Sequence, residues 1–465
     1  MLYVDIAREE DFALIPDNPT DTVTVNLWND ITILGEWIPV KGRNIIFNGK
    51  FHSLRGLTGP LFAKSMSNST VADDIASDDI TVTNLRLYVD ITYTYPQYMG
   101  GMVRLGRRFK ASDCEIIAHI ASNSGYCGIY AGMLDDESEI ARCVSRGSLS
   151  GSSMCGGIVG AALNSRVCNS VNHAKVAARE GRAAGIAGNI SYTAIENCEN
   201  ASDGEITGGG DFTGGIAGEM LMNSQIMNCT NYAKVSGAGG TGGIAGGSSY
   251  PDSVNHIMGN TNAGEVSGGR IVGGVIGTIG YGLIQVSNNL NGADVTAVND
   301  GAAGILGGIT GIGYQPPPLV TVDPGEAHVK NNMVCAERIE AGSLARRISA
   351  EEDQSISNLK LLNNQAYCKI IIRDDVVSNK YIIETNPEYG PNKRHGVSTP
   401  VCLRLPQSAF KPCLAAPPPR PWPKKVIVGG KCIPAPPPIP EWFKGIQCGV
   451  PIVKHERKGG QYGYC

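Results

Sequence analysis

One short motif, a glycine-flanked aliphatic of the form Gly-Gly-Ile-x-Gly, returns eight times along the chain at a nearly constant interval. Its aliphatic stands at Met102, Ile129, Ile158, Ile186, Ile216, Ile244, Val275 and Ile305, separated by 27, 29, 28, 30, 28, 31 and 30 residues. A period near thirty marks a stack of supersecondary units, none of which buries its apolar face alone. A flexible Gly-rich linker would not bring the aliphatic back in phase. The expected fold is therefore all-β: a parallel β-solenoid of about ten Gly-rich coils of roughly thirty residues, its handedness left open. Ile129, Ile158, Ile186, Ile216, Ile244, Val275 and Ile305 form its core ladder.

Each repeat has a second half with its own phase. Ile226-Met-Asn-Cys229-Thr-Asn231 is answered by Ile195-Glu-Asn-Cys198-Glu-Asn200, by Ile257 with Asn260 and Asn262, and by Val286 with Asn289 and Asn291. Corresponding residues of stacked coils sit about 4.8 Å apart, so each slot becomes a row along the axis. One row reads Cys114, Cys143, Ser170, Cys198, Cys229, Asn260, Asn289, Asn332. Small residues there pack inward or pass an amide hydrogen bond to the next rung. The glycines beside the aliphatic are expected to let the backbone bend tightly.

The composition fits a thin aliphatic core: sixty glycines against eight phenylalanines. The charge does not spread evenly. Residues 401–465 carry ten Lys/Arg and two acids, a net of +8, which leaves −12 on the first 400 residues of a chain whose total is −4. Neither the total nor any apolar run points to nucleic acid or to a membrane span. Met1 is followed by Leu-Tyr-Val-Asp and not by a basic and then apolar leader, so no classical signal peptide is expected.

The tail is distinctive. It holds thirteen of the 26 prolines and a duplication: Cys413, Pro417, Pro418, Pro419 and Trp422 against Cys432, Pro436, Pro437, Pro438 and Trp442. Triple prolines hold an extended polyproline strand that builds no core of its own, while each copy supplies a Trp that can anchor on another surface. This segment reads as an extended, basic assembly arm. Its cysteines, Cys402, Cys413, Cys432, Cys448 and Cys465, leave the disulfide pairing open. The organisation is then an N-terminal cap with opening coils over 1–100, the repeat solenoid over 101–342, a closing coil over 343–399 and the arm over 400–465.

The chain resembles the GLUG-motif repeat family of bacterial surface proteins. Beyond the repeats, Gly35-Glu-Trp37-Ile-Pro39, Phe47-Asn-Gly49-Lys-Phe51, Gly56-Leu57 and Asn84-Leu85-Arg-Leu87 resemble its opening coils, and Ser357-Asn358-Leu359 with Asn363-Asn364-Gln-Ala366-Tyr367 its closing one. The resemblance implies stalks and adhesive surfaces, with a surface glycan or a protein receptor as partner, and some members attach a metallopeptidase domain. The chain departs from that layout in lacking a cell-wall anchor motif and a helical stalk.

Catalytic patterns are weak. The lone His-Glu pair, His455-Glu456, has no second histidine a turn away, and Gly151-Ser152-Ser153-Met154-Cys155 lacks the second glycine of a nucleophile elbow. Polysaccharide cleavage needs paired carboxylates on one face. Asp73-Asp74, Asp78-Asp79 and Asp135-Asp136 are candidates that read better as solvated loop charge. Calcium at Asp135, Asp136 and Glu137 lacks the spacing of a dedicated loop, and fourteen cysteines contain no Cys-x-x-Cys zinc pattern. The expectation is a non-catalytic extracellular scaffold without metal or cofactor, adhesin-like or part of a filament or phage appendage, that self-associates through its arm. A polysaccharide-active enzyme and a phage receptor-binding protein are the alternatives.

Overall fold

A computed structural model describes residues 2–65, 75–93, 97–309, 325–350, 358–372 and 375–384, with two short strands at 426–428 and 431–433. It is an all-β parallel solenoid of about ten turns. The turn that starts at Ala194 shows the plan. Its strands are Ala194–Glu196, Glu199–Asn200, Glu205–Gly208, Phe212–Gly214 and Ala217–Met220. Each pairs in parallel with its counterpart one coil on, as in Ile195 with Ile226, Asn200 with Asn231, Ile206 with Val235 and Ala217 with Ala245. The longest face is a 13-stranded sheet from Leu2–Ile6 to Leu359–Leu362.

Short strands need corners, and the sequence supplies them through asparagine. Asn84, Asp113, Arg142, Asn169, Asn197, Asn228, Gly259, Asn288, Asn331 and Asn363 all adopt left-handed backbone, with φ between 51° and 68°. Asn84 directly precedes Leu85, and each of the others directly precedes a Cys, Ser or Asn of the Cys/Asn row, from Cys114 to Asn364. Asn and Asp tolerate this conformation better than other side chains because their short polar groups bond locally.

The motif glycines serve a different purpose from the tight bend expected of them. A Cβ on Gly215 would lie 2.1 Å from the Gly243 carbonyl oxygen and 2.4 Å from the Asn231 amide carbon. One on Gly246 would lie 2.4 Å from the Thr213 nitrogen. These positions require glycine for close approach, while the sharp turns fall to Asn.

The ends differ. The first strand, Leu2–Ile6, pairs on one side with Val23–Leu27, and a 3-10 turn, Glu9–Leu14, follows it. At the far end Asn364–Ile372 is covered by an antiparallel strand, Asp375–Glu384. The chain divides into two compact units, Met1–Phe410 and Lys411–Cys465, a little beyond Pro400. Within the second, Val426–Val428 pairs antiparallel with Lys431–Ile433, which places Cys432 on a strand.

Candidate functional site

Met102, Ile158, Ile186, Ile216, Ile244, Val275 and Ile305 share one fully buried row, but the rung expected of Ile129 belongs to Tyr130. The amide of Met102 donates to Tyr130 and that of Tyr130 to Ile158, while Ile129, buried too, stands one place off, opposite Gly101. The backbones of the row join rung to rung, the amide of Ile158 donating to Ile186, Ile186 to Ile216, Ile216 to Ile244, Ile244 to Val275 and Val275 to Ile305.

Two polar rows run beside it. In the first, the side-chain amide of Asn172 donates to Asn200, Asn200 to Asn231, Asn231 to Asn262 and Asn262 to Asn291, at 2.8–2.9 Å. Ser145 donates at 2.8 Å to the Asn172 oxygen at one end. In the second, Asn260 donates to Asn289, Asn289 to Asn332 and Asn332 to Asn364, each at 3.0 Å. Buried amides cost stability unless bonded; here each finds its partner one rung away.

Where the second row carries Cys114, Cys143, Cys198 and Cys229, the thiols are free and buried. Burial, and the thiol of Cys143 beside it, push Cys114 well above its ordinary range; burial and Cys229 do the same for Cys198. Cys127 and Cys155 form a further stacked pair, in direct register. The spacing signalled this pair too, since both stand just ahead of the motif, in Cys127-Gly-Ile129 and Cys155-Gly-Gly-Ile158.

On the outside, charges of opposite sign mostly meet along the axis, with Glu265 and Asp294 a pair of neighbouring acids. Lys175, Glu205, Lys234, Glu265, Asp294 and Arg338 follow one another down one flank, with ion pairs Lys175–Glu205 at 3.6 Å, Lys234–Glu265 at 3.5 Å and Arg338–Asp294 at 3.2 Å. Glu115 is held between Arg86 (2.7 Å) and Arg146 (2.9 Å) on the neighbouring coils. Rung-to-rung pairing was not visible in the sequence, because it depends on which residues the corners bring into register.

Three of the carboxylates weighed for catalysis, Asp78, Asp79 and Asp136, are tied by arginine. Arg107 Nε donates to Asp78 at 2.7 Å, Arg108 Nε donates to Asp79 at 2.7 Å, and Arg108 Nη1 donates to Asp136. The Arg108 hydrogen bond holds the Asp79 carboxyl below its usual range. An acid held ionised in this way is a poor proton donor. Asp73-Asp74 and His455-Glu456 lie outside the described residues. Among the described residues no three His, Cys, Asp or Glu side chains gather as a metal site needs, and no helix is long and apolar enough to cross a membrane.

Arg104 and Glu219 are among the buried charges that escaped the sequence reading. Arg104 stands where later repeats carry the motif's last glycine. It is fully buried, donates from Nε to the Tyr98 carbonyl at 3.3 Å and from Nη1 to that of Ser65, and burial lowers its guanidinium to about 10. In later coils the strand of the preceding coil fills this space; a Cβ on Gly132 is already 2.5 Å from the Met99 nitrogen. Arg104 has room because Tyr98–Gly100 is the first strand of its sheet. Glu219 accepts from Arg182 Nε at 2.6 Å, from Asn189 at 2.9 Å and from the Ser249 hydroxyl.

The first coil is different in kind. Counted with its capping strand Leu2–Ile6 as residues 2–44, it holds six of the eleven exposed large hydrophobics among the described residues: Leu2, Tyr3, Leu14, Trp28, Leu34 and Ile38. Its framework is nevertheless fixed. Phe12 packs edge-on against buried Trp37, whose Nε1 donates to the Pro60 carbonyl at 2.8 Å, and Glu9 accepts from the backbone of Leu34 and Gly35. Lys50 sits 3.1 Å above the Trp28 ring.

The arm positions Cys413, Pro417, Pro418, Pro419, Trp422, Pro436, Pro437, Pro438 and Trp442 lie outside the described residues.

No protein-family model matches this chain, and no curated protein matches it. Among solved structures it is similar to a Bacteroides ovatus protein described as a candidate immunoglobulin A1 protease, at 17% identity, over 72% of this chain and 83% of that one, with a TM-score of 0.36. So distant a likeness carries no functional weight.

Proposed function

We propose that this protein is a non-catalytic β-solenoid for extracellular display and assembly, in which the C-terminal segment of one copy docks on the next. The observation that carries the reading is the charge asymmetry of the chain, −12 over the first 400 residues against +8 over residues 401–465. Charges such as Lys175–Glu205 and Lys234–Glu265 are paired coil against coil, and the acidic excess left over steers encounter with a segment of the opposite sign. The arginine-clamped carboxylates favour a structural role over proton transfer. An adhesin-like surface protein and a subunit of a filament or phage appendage are both served by this design, and the GLUG-like repeats fit either.

The test is sedimentation of the full-length chain against a chain ending at Phe410, at matched salt, since Met1–Phe410 is a compact unit of its own. The reading expects the shorter chain to keep its strand content and to lose self-association. Equal association of both would remove the tail from the account.

A further inference from the structure

Resting on the assembly reading above, we infer that the first coil is the surface on which the C-terminal segment of a second copy docks. Charge points there first. Residues 1–40 hold eight acids and one base, so −7 of the −12 borne by the first 400 residues is concentrated at one end. Asp5, Glu10, Asp17, Asp21, Asp30 and Glu36 are all exposed. Local cations answer only part of this excess, through Arg8 with Glu10 at 3.6 Å and Lys41 with Asp17 at 3.0 Å. The segment 401–465 carries the opposite sign, +8.

Apolar exposure points to the same place. Leu34 is 88%, Ile38 73% and Leu14 62% exposed, and Glu9 and Trp37 gather all three around the 3-10 turn. Tyr3, at 65%, lies outward on the first strand beside Asp5, and Trp28 follows the end of the strand next to it. Exposed aromatics interleaved with acids are the chemistry that receives proline-rich, basic segments: rings pack against the polyproline strand and carboxylates take its Lys and Arg. The tail supplies that chemistry in Pro417-Pro-Pro-Arg-Pro-Trp-Pro-Lys-Lys425, and a second proline triplet with a Trp in Pro436-Pro-Pro-Ile-Pro-Glu-Trp442. Its prolines lose little entropy on docking, and Trp422 and Trp442 are large apolar anchors. Tail of one copy on first coil of another is a heterologous contact, which closes into a ring or runs on as a fibre.

The experiment is a charge swap in the full-length chain, read by sedimentation velocity at low salt. Glu10→Lys with Glu36→Lys should bring the associating species down to monomer, and so should Lys424→Glu with Lys425→Glu. All four substitutions together should restore association, which a misfolded variant would not do. If the tail pair abolishes association while the first-coil pair leaves it intact, the docking surface is elsewhere and this inference fails although the assembly reading stands. A wild-type chain that stays monomeric, or a tail pair that associates like wild type, overturns the assembly reading and the inference with it.

Discussion

The middle coils and the first coil are built from the same strands, yet they treat their surfaces in opposite ways. Between Cys143 and Val334 every rung meets a near copy of itself above and below. An inward amide finds an amide, an outward lysine finds a glutamate, and a motif isoleucine finds an isoleucine. The first coil has a neighbour on one side only, and it leaves apolar and acidic side chains exposed. Repetition satisfies a coil completely, so what a solenoid offers to partners is concentrated where repetition stops.

The sharpest way to break this comparison is to make one change in both regions. Ile216→Asp places a carboxylate in a fully buried row and should cost about 4 kcal/mol or more, or hold the acid neutral. Ile38→Asp, at a side chain 73% exposed, should cost less than about 0.5 kcal/mol. Denaturant midpoints measure both. Similar midpoints for the two variants would mean that the rows are not the source of stability.

The amide row comes next. Asn231 donates to Asn262 and to the Ala233 carbonyl and accepts from Asn200. Asn231→Ala strands those partners in the core and should cost about 3 kcal/mol at orphaned-group magnitudes. A loss under about 1 kcal/mol would show that water enters the row.

The thiols make a gentler probe. Burial pushes Cys168 and Cys368 up to about 12 from an ordinary 9.0. An acid whose folded pKa is raised favours the fold while protonated, so stability should be flat below pH 9 and fall as pH rises from 9 towards 12. Native Cys198 and Cys229 should resist a thiol reagent until the chain unfolds. Rapid labelling of both would turn that row outward. Smallest of all is the flank: Lys234 and Glu265 are each about half exposed, so replacing both by alanine should move stability by less than about 1 kcal/mol.

The period made the fold legible, because a returning aliphatic has one economical explanation. The phase of the slot that ends in Asn260, Asn289 and Asn332 likewise pointed to an inward row, whereas Asn200, Asn231, Asn262 and Asn291 showed only as recurring positions until their bonds were seen. What stayed hidden depends on neighbours that are thirty residues distant. Lys234 and Glu265 are unremarkable in a linear reading and become partners only once the corner residues fix the register. Arg104 looked like a degenerate motif position, and its burial follows from the missing strand below it. The division of labour at the turns was also misassigned: Gly215 is needed for contact, and Asn228 for the left-handed corner. The first coil's surface was illegible for a simpler reason, since sequence alone does not say that Leu34 or Ile38 faces solvent.

The most direct test of the central claim is electron cryomicroscopy of the full-length protein under the conditions in which it sediments as an associated species. The account predicts copies joined by a heterologous contact, with density for the proline-rich tail lying across the first coil of the neighbour. Dispersed monomers, or copies joined flank to flank through the charge-paired faces with the first coil bare, would contradict it.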